Sequence, residues 1–293
     1  MRGPVDKKGE GGMKIGVLGA GTMGGGIAHT IARAGDEVLL YDTNASQVER
    51  ALDGIRARLD RAVAQQRESA EGAAATLARL HAVELDAFSG ADAAVEAVLE
   101  IMDVKRAAFA DLDRRLPPGA LIATNTSSLS ITELAQATGR AARVVGLHFF
   151  NPAPVMKLIE VVRGQDTSDA TVAEAVDLAK RWGKEPVVVQ KDTPGFIVNR
   201  VLMPLFIEAM RILEEGIASP EDIDRAVKLG LNHPMGPLAL ADLTGLDVDL
   251  HVMDYLFSET HDDRFAAPLV LRRLVRAHRL GKKTGEGFYR YSD

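Results

Sequence analysis

Residues 14 to 42 read KIGVLGAGTMGGGIAHTIARAGDEVLLYD, and the glycine spacing in this stretch constrains the fold more than any other feature. KIGVLG is a short apolar run that reads as a buried strand. MGGGIAHTIARAG is helical apart from its glycines, and EVLLYD reads as a second buried strand. Between the first strand and the helix, GAGTMG matches G-x-G-x-x-G. Alone, such a match could equally be a tight strand–helix connection. Its placement here gives each position a task. Gly19 permits the turn, Gly21 lets the backbone approach a pyrophosphate, and Gly24 lets the helix pack closely on the sheet. Thr22 and Met23 open the helix, whose unpaired N–H groups would face the phosphates. Asp42 ends the second strand, where a carboxylate accepts both ribose hydroxyls and repels a 2′-phosphate. The stretch therefore points to a dinucleotide, NAD rather than NADP.

From residue 43 to about residue 80 the sequence changes character. Val48, Leu52, Ile55, Leu59 and Val63 keep a helical period, which predicts a helical excursion between strands. Strand and helix signals then alternate: AAVEAVLE, a helix VKRAAFADLDRRL stopped by Pro117-Pro118, LIATNT, ITELAQAT, RVVGLHFF, MKLIEVV, a helix around AEAVDLAKRWG, and EPVVVQ. Such alternation predicts an α/β fold, a doubly wound, mostly parallel Rossmann-type sheet over residues 13–192. After residue 192 the alternation stops. A Pro-Gly break leads into a long apolar helix and further capped helices such as the one begun by Ser219-Pro220-Glu221-Asp222. This predicts a smaller all-helical domain over residues 193–293.

Composition narrows the function. A net charge of −6 offers no basic face to nucleic acid or acidic lipid. The absence of cysteine excludes a disulfide framework, thiolate catalysis and cysteine-ligated metal; no metal site is expected, and a reducing cytoplasm fits. No apolar run approaches the ~18 residues that span a bilayer. Residues 1–12, MRGPVDKKGEGG, are polar and glycine-rich, and read as a disordered leader rather than a secretory signal.

The stretch HFFNPAPVMKLIEV places His148 at the end of one apolar run and Glu160 inside the next, across a turn stiffened by Pro152 and Pro154. Taken singly, His148 reads as a core histidine bonded to backbone and Glu160 as a solvated edge carboxylate. However, strand ends in doubly wound sheets face the ligand crevice. An acid among Leu158, Ile159, Val161 and Val162 needs a partner if buried. A carboxylate on one ring nitrogen fixes the tautomer and supports the imidazolium, so that the other nitrogen can take a proton. Oxidation of an alcohol beside a hydride acceptor needs such a base.

GAGTMGGGIA, the strand acid in YD, TNTSSLSIT, HFFNPAPVMKLIEV, KDTPGFIVNR, LNHPMGPLALAD and the terminal GKKTGEGFYRY occur together in order. From about residue 13 to residue 291 the chain resembles the 3-hydroxyacyl-CoA dehydrogenase family, most of all its short single-function members. The resemblance implies NAD-dependent, reversible oxidation of an (S)-3-hydroxyacyl-CoA to a 3-oxoacyl-CoA, on a short chain such as 3-hydroxybutyryl-CoA. It implies that His148 is the base and that Glu160 orients it. Ser127 would hydrogen-bond the substrate oxygen near the nicotinamide, although as a strand-end hydroxyl it also suits a helix cap, a task Ser130 could fill instead. Asn199 would hold the substrate from the second domain, where an interdomain hydrogen bond is the plainer alternative. Asn151 matches a position near the nicotinamide carboxamide and Ser127, or simply begins the turn. Glu100, Lys105 and Lys283 match cofactor contacts, whereas unaided all three read as solvated charges. One departure concerns coenzyme A. Gln65 and Gln66 stand where the family often offers a lysine to the adenosine phosphate, which leaves Arg58 and Arg67 as substitutes.

Two other classes fit parts of this pattern: an L-gulonate-type dehydrogenase, and a crystallin-like relative that binds NAD without catalysis. The intact set Ser127, His148, Glu160 and Asn199 favours the enzyme, since a buried histidine–glutamate pair carries a cost that a structural protein has no reason to bear. The apolar helix FIVNRVLMPLFIEAMRIL further predicts a homodimer formed through the helical domain.

Overall fold

The computed structural model of the chain describes residues 12–291, so the expected leader lies outside the described residues except for Gly12. The chain divides into two compact units between Asp192 and Thr193.

The first unit is an eight-stranded sheet in the order β3-β2-β1-β4-β5-β6-β7-β8. Its strands are β1 (Lys14–Leu18), β2 (Glu37–Tyr41), β3 (Leu80–Ala82), β4 (Ala93–Glu96), β5 (Leu121–Thr124), β6 (Val144–Phe149), β7 (Leu158–Val162) and β8 (Glu185–Val189). All neighbouring pairs are parallel except β6 with β7. The connections are α1 (Thr22–Arg33), α2 (Ala45–Ala64), α3 (Ala70–Ala78), α4 (Met102–Arg115), α5 (Ile131–Ala135) and α6 (Asp169–Arg181). The fold class is thus the doubly wound one that alternation predicts.

Local chemistry explains most boundaries. Asn44, Ser69, Ser130 and Ser168 each cap the helix they precede, accepting a hydrogen bond from a backbone N–H of its first turn. The helix α4 stops as foreseen. Leu116 is extended, because the residue before Pro117 is pushed out of the helical region. The core lies between sheet and helices. Ile15, Val17, Val38, Leu40, Val95 and Val145 are fully or nearly fully removed from water, alternating or continuous along strands covered on both faces. Between β2 and α6 a buried carboxylate ties the ends of the unit together. Asp36 accepts two hydrogen bonds from Arg181 Nε and Nη2, one from Trp182 Nε1 at 3.0 Å, and one from Met13 N at 2.9 Å.

The second unit is helical: α7 (Val198–Glu214), α8 (Pro220–Leu231), α9 (Pro237–Thr244), α10 (Leu246–Thr260) and α11 (Leu269–Arg276). Ser219 caps α8 through Asp222 N at 3.2 Å, with Pro220 in the first turn. Its core gathers Met203, Phe206, Met210, Leu246, Met253 and Phe265. The terminal residues 281–291 close on themselves through bridges at Gly281–Glu286 and Glu286–Arg290. No helix among the described residues is long and apolar enough to cross a membrane.

Candidate active site

The carboxyl ends of β1, β4, β5 and β6 lie side by side. The register runs Leu18, Glu96, Thr124, Gly146 across the sheet, so residues just beyond these positions share one edge.

At β1 the chain turns through Gly19, whose φ of +101° favours glycine and where a Cβ would sit 2.6 Å from Ala97 O. At Gly24 a Cβ would come within 1.8 Å of Gly19 O, so the helix seats against the loop only without one. Above Gly21 the space is open, with no atom within 4 Å of an added Cβ. Thr22 and Met23 begin α1, whose first turn has neither a capping side chain nor a carboxylate. Its N–H groups and positive dipole end remain for an anion. The Asp42 carboxylate is drawn to the same loop, accepting Ala20 N at 2.8 Å and Asn44 N at 2.9 Å. A glycine cradle, a bare helix N-terminus and a strand-end acid fit a dinucleotide.

At β6 the antiparallel register sets His148 directly opposite Glu160. Both are buried, at 6% and 1% exposure, and Nδ1 lies 2.7 Å from Glu160 Oε2. An ionised carboxylate only accepts, so Nδ1 carries the proton and Nε2 is the basic nitrogen. The Phe150 ring leans on the imidazole at 4.5 Å between centroids. Asn125 holds the strand end by accepting Phe149 N at 2.9 Å. Asn151 is exposed at the start of the turn.

Ser127 lies just past β5 and is anchored by Glu100. Glu100 Oε1 accepts Thr126 Oγ1 at 2.6 Å, Ser127 N at 2.8 Å and Ser127 Oγ at 3.2 Å, and Oε2 meets Lys105 Nζ at 3.1 Å. Burial raises the Glu100 carboxyl, but the Lys105 ammonium and these hydrogen bonds outweigh it and hold the pKa below its ordinary value. Read unaided, Lys105 is a solvated helix-end charge. The structure corrects this: Lys105 is 1% exposed, and its ammonium lies 2.7 Å from Glu96 Oε1. Glu96, itself fully buried, also accepts Thr124 Oγ1 at 2.7 Å and Val98 N at 2.7 Å. Sequence reading passed over Glu96 and Asn125. Their only signal is position, at the ends of β4 and β5. Ser130 caps α5 through Glu133 N at 3.2 Å, so that capping task does not fall to Ser127.

In the helical unit Asn199 is half-buried in the first turn of α7. Lys283 is ion-paired with Asp247 of the same unit, not simply solvated. On the excursion, Arg58 and Arg67 are both exposed, and Arg67 is bonded to the Gln65 side chain beside the left-handed Gln66.

The family models for the 3-hydroxyacyl-CoA dehydrogenase NAD binding domain and C-terminal domain match residues 14–193 and 195–291. The chain belongs to the 3-hydroxyacyl-CoA dehydrogenase family. It is 45% identical to a probable 3-hydroxybutyryl-CoA dehydrogenase of Bacillus subtilis over 96% of this chain and 98% of that one. It is 48% identical to 3-hydroxyadipyl-CoA dehydrogenase of Escherichia coli over 94% of this chain and 58% of that one. The crystal structure of (S)-3-hydroxybutyryl-CoA dehydrogenase from Ralstonia eutropha superposes with a TM-score of 0.92 at 44% identity, covering 96% of this chain and 99% of that one. Membership makes the chain an NAD-dependent oxidoreductase, and the glycine cradle and Asp42 belong to its NAD binding domain.

Proposed function

We propose that the chain interconverts a short (S)-3-hydroxyacyl-CoA, such as 3-hydroxybutyryl-CoA, and its 3-oxoacyl-CoA. The observation that carries this reading is the buried His148–Glu160 pair at 2.7 Å. Glu160 fixes the imidazole with Nδ1 protonated, so Nε2 removes the 3-hydroxyl proton. As the ring becomes imidazolium, the adjacent carboxylate stabilises the charge where water is scarce. Bound NAD supplies the hydride acceptor for C3. Glu100 holds Ser127 so that its side chain can bond the substrate oxygen. Asn199, in the helical unit, is a neutral amide donor to a substrate carbonyl whose strength does not change with pH. Glu100, Lys105, Asn151 and Lys283 support the cofactor in this reading: Lys105 acts through the glutamates that brace the Ser127 loop, and Lys283 would have to leave Asp247. Arg58 and Arg67 stand in for the missing lysine at the adenosine phosphate of coenzyme A.

The exposed apolar side chains of the helical unit support self-association through it. Val201 is 69% exposed, Leu229 75%, Leu231 60% and Leu269 58%. A cysteine-free chain suits a cytoplasmic setting.

The test is a screen of NADH oxidation with 3-oxoacyl-CoA thioesters of rising chain length, with 3-oxoadipyl-CoA and free 3-oxo acids alongside, and of NAD reduction with L-gulonate. Fastest turnover of the four-carbon thioester is expected. Preference for 3-oxoadipyl-CoA would transfer the substrate to the class named in the Escherichia coli relative, and activity on gulonate alone would sink the thioester reading.

A further inference from the structure

The turn that joins the histidine strand to the glutamate strand is held by a residue outside the pair. Lys184 lies one position before β8 and is buried, with 8% exposure. Its Nζ donates to Ala153 O at 2.5 Å and to Met156 O at 2.8 Å, two carbonyls of residues 150–157. Among the described residues it forms no ion pair with a carboxylate, so these backbone dipoles are what offsets its desolvation. Burial and the nearby Arg33 push its ammonium below the usual lysine range.

An expensive buried cation needs a reason, and the turn supplies one. Pro152 O accepts Val155 N at 2.9 Å and Met156 N at 3.0 Å, which folds the segment tightly. Ala153, 2% exposed, faces α1 at Gly26, where an added Cβ would meet Ala153 Cβ at 3.2 Å. Lys157 O accepts Glu185 N at 2.9 Å and joins the turn to β8. The turn is therefore pressed between the helix that starts at the glycine loop and the ammonium of Lys184. The β6–β7 ladder fixes the register of His148 against Glu160 but ends one pair later, at Phe149 and Ile159. Phe150, which packs on the imidazole, and Asn151 both lie in the turn beyond that last pair. Loosening the turn would free the end of the ladder and the ring that steadies His148.

We infer that Lys184 is a positioning residue of the reaction, holding the β6–β7 turn so that the imidazole and Asn151 keep their working geometry. The inference rests on the base role given to His148 above. Removing the donors leaves the buried Ala153 carbonyl and the part-buried Met156 carbonyl without this partner and lets the turn drift. A drift of about 1 Å at a reacting group can cost up to ~10²-fold in rate.

The experiment compares Lys184→Met, which keeps an apolar stem, with Lys184→Arg, which keeps charge and donors. The readouts are kcat, KM for NADH, the pH profile of kcat/KM and Tm. For Lys184→Met a fall in kcat of ~10-fold or more is expected, larger than the rise in KM for NADH that comes through Asn151, and with the inflection that reports His148 displaced. Lys184→Arg should recover a large part of kcat. If Lys184→Met does not fold, Lys184→Gln retains a neutral donor on a shorter stem and should show the same split. Wild-type kcat and pH inflection in a folded Met or Gln variant, whatever its Tm, overturn the inference alone. Wild-type protein inert toward every 3-oxoacyl-CoA overturns the functional reading and this inference together.

Discussion

Both units bury carboxylates, and they treat them in opposite ways. In the first unit Asp36, Glu96 and Glu160 each meet a group able to carry positive charge: Arg181, Lys105 and His148. In the helical unit Asp224, Asp242 and Asp249 meet, among the described residues, only backbone N–H groups and hydroxyls. Asp224 accepts Leu238 N and Ala239 N at the start of α9, and the Tyr289 hydroxyl at 2.8 Å. Asp242 accepts Phe288 N, Tyr289 N and the Tyr291 hydroxyl, each at 2.9 Å. These acids fasten the terminal segment to the helices. Asp249 lies 2.9 Å from Thr244 Oγ1, which also lies 3.0 Å from Ala241 O. The Thr244 hydroxyl has one proton to share between the Asp249 carboxyl and the Ala241 carbonyl. Burial raises the pKa of Asp242 and drives Asp249 up to about 8, helped by Asp247 and Asp242 and opposed by the Thr244 hydrogen bond. In one unit, then, buried carboxylates face groups able to carry positive charge, and in the other they serve as fasteners, with Asp242 and Asp249 pushed toward the neutral form by burial.

Breaking the first arrangement should give the largest effect. His148→Gln is expected to lower kcat by roughly 10²–10⁴ while leaving NAD affinity by calorimetry, and Tm, nearly unchanged. An equal loss of NAD affinity would remove the base role from His148. Breaking the second should change stability instead. The folded pKa of Asp249 lies above its ordinary 3.8. Its contribution is therefore fully present below about pH 4 and declines, by at most ~1.4 kcal/mol per pH unit, until about pH 8. Asp249→Asn, neutral at every pH, should flatten that slope in amide exchange of the helical unit's peptides. Parallel slopes in variant and parent would show that Asp249 is ionised when folded.

The same contrast explains what could be read from the sequence. The sheet and the glycine loop were legible because each rests on spacing: strand–helix alternation, and glycines five residues apart, Gly19 and Gly24, where a Cβ would strike Ala97 O or Gly19 O. His148 and Glu160 stood out because one apolar run contained a single histidine and the next a single carboxylate. Lys105 did not, because its partner Glu96 ends another strand nine residues earlier and only the β4–α4 connection buries them together. Lys184 precedes an ordinary strand signal, and nothing in EPVVVQ announces the carbonyls it meets. The fasteners of the helical unit were equally silent. Nothing in LNHPMGPLALAD announces that residues 288–291 fold onto Asp242. Spacing along the chain is visible in a sequence, whereas partners brought together by tertiary folding are not.

A smaller effect sharpens the comparison, because the first unit also holds a buried group of opposite sign. His29, on α1, is 6% exposed, and among the described residues neither ring nitrogen meets a hydrogen-bond partner. Burial lowers its pKa to about 4 from the ordinary 6.5, and the cations Arg58, Arg33 and Lys184 add to this against Glu68. The unfolded chain therefore binds a proton near pH 6.5 that the folded unit refuses until about pH 4. Stability of this unit is complete above the higher value and is lost as pH falls through that window, by no more than about 3 kcal/mol. His29→Met should remove this acid sensitivity from amide exchange of α1 and β2 peptides, after correction for intrinsic rates, and leave the helical unit's peptides as they were. The two variants then tilt stability in opposite senses: the parent's Rossmann-type unit weakens toward acid and its helical unit toward alkali. Equal acid slopes for parent and His29→Met would mean that the imidazole takes up its proton inside the folded unit, and the opposition between the two units would reduce to the carboxylates alone.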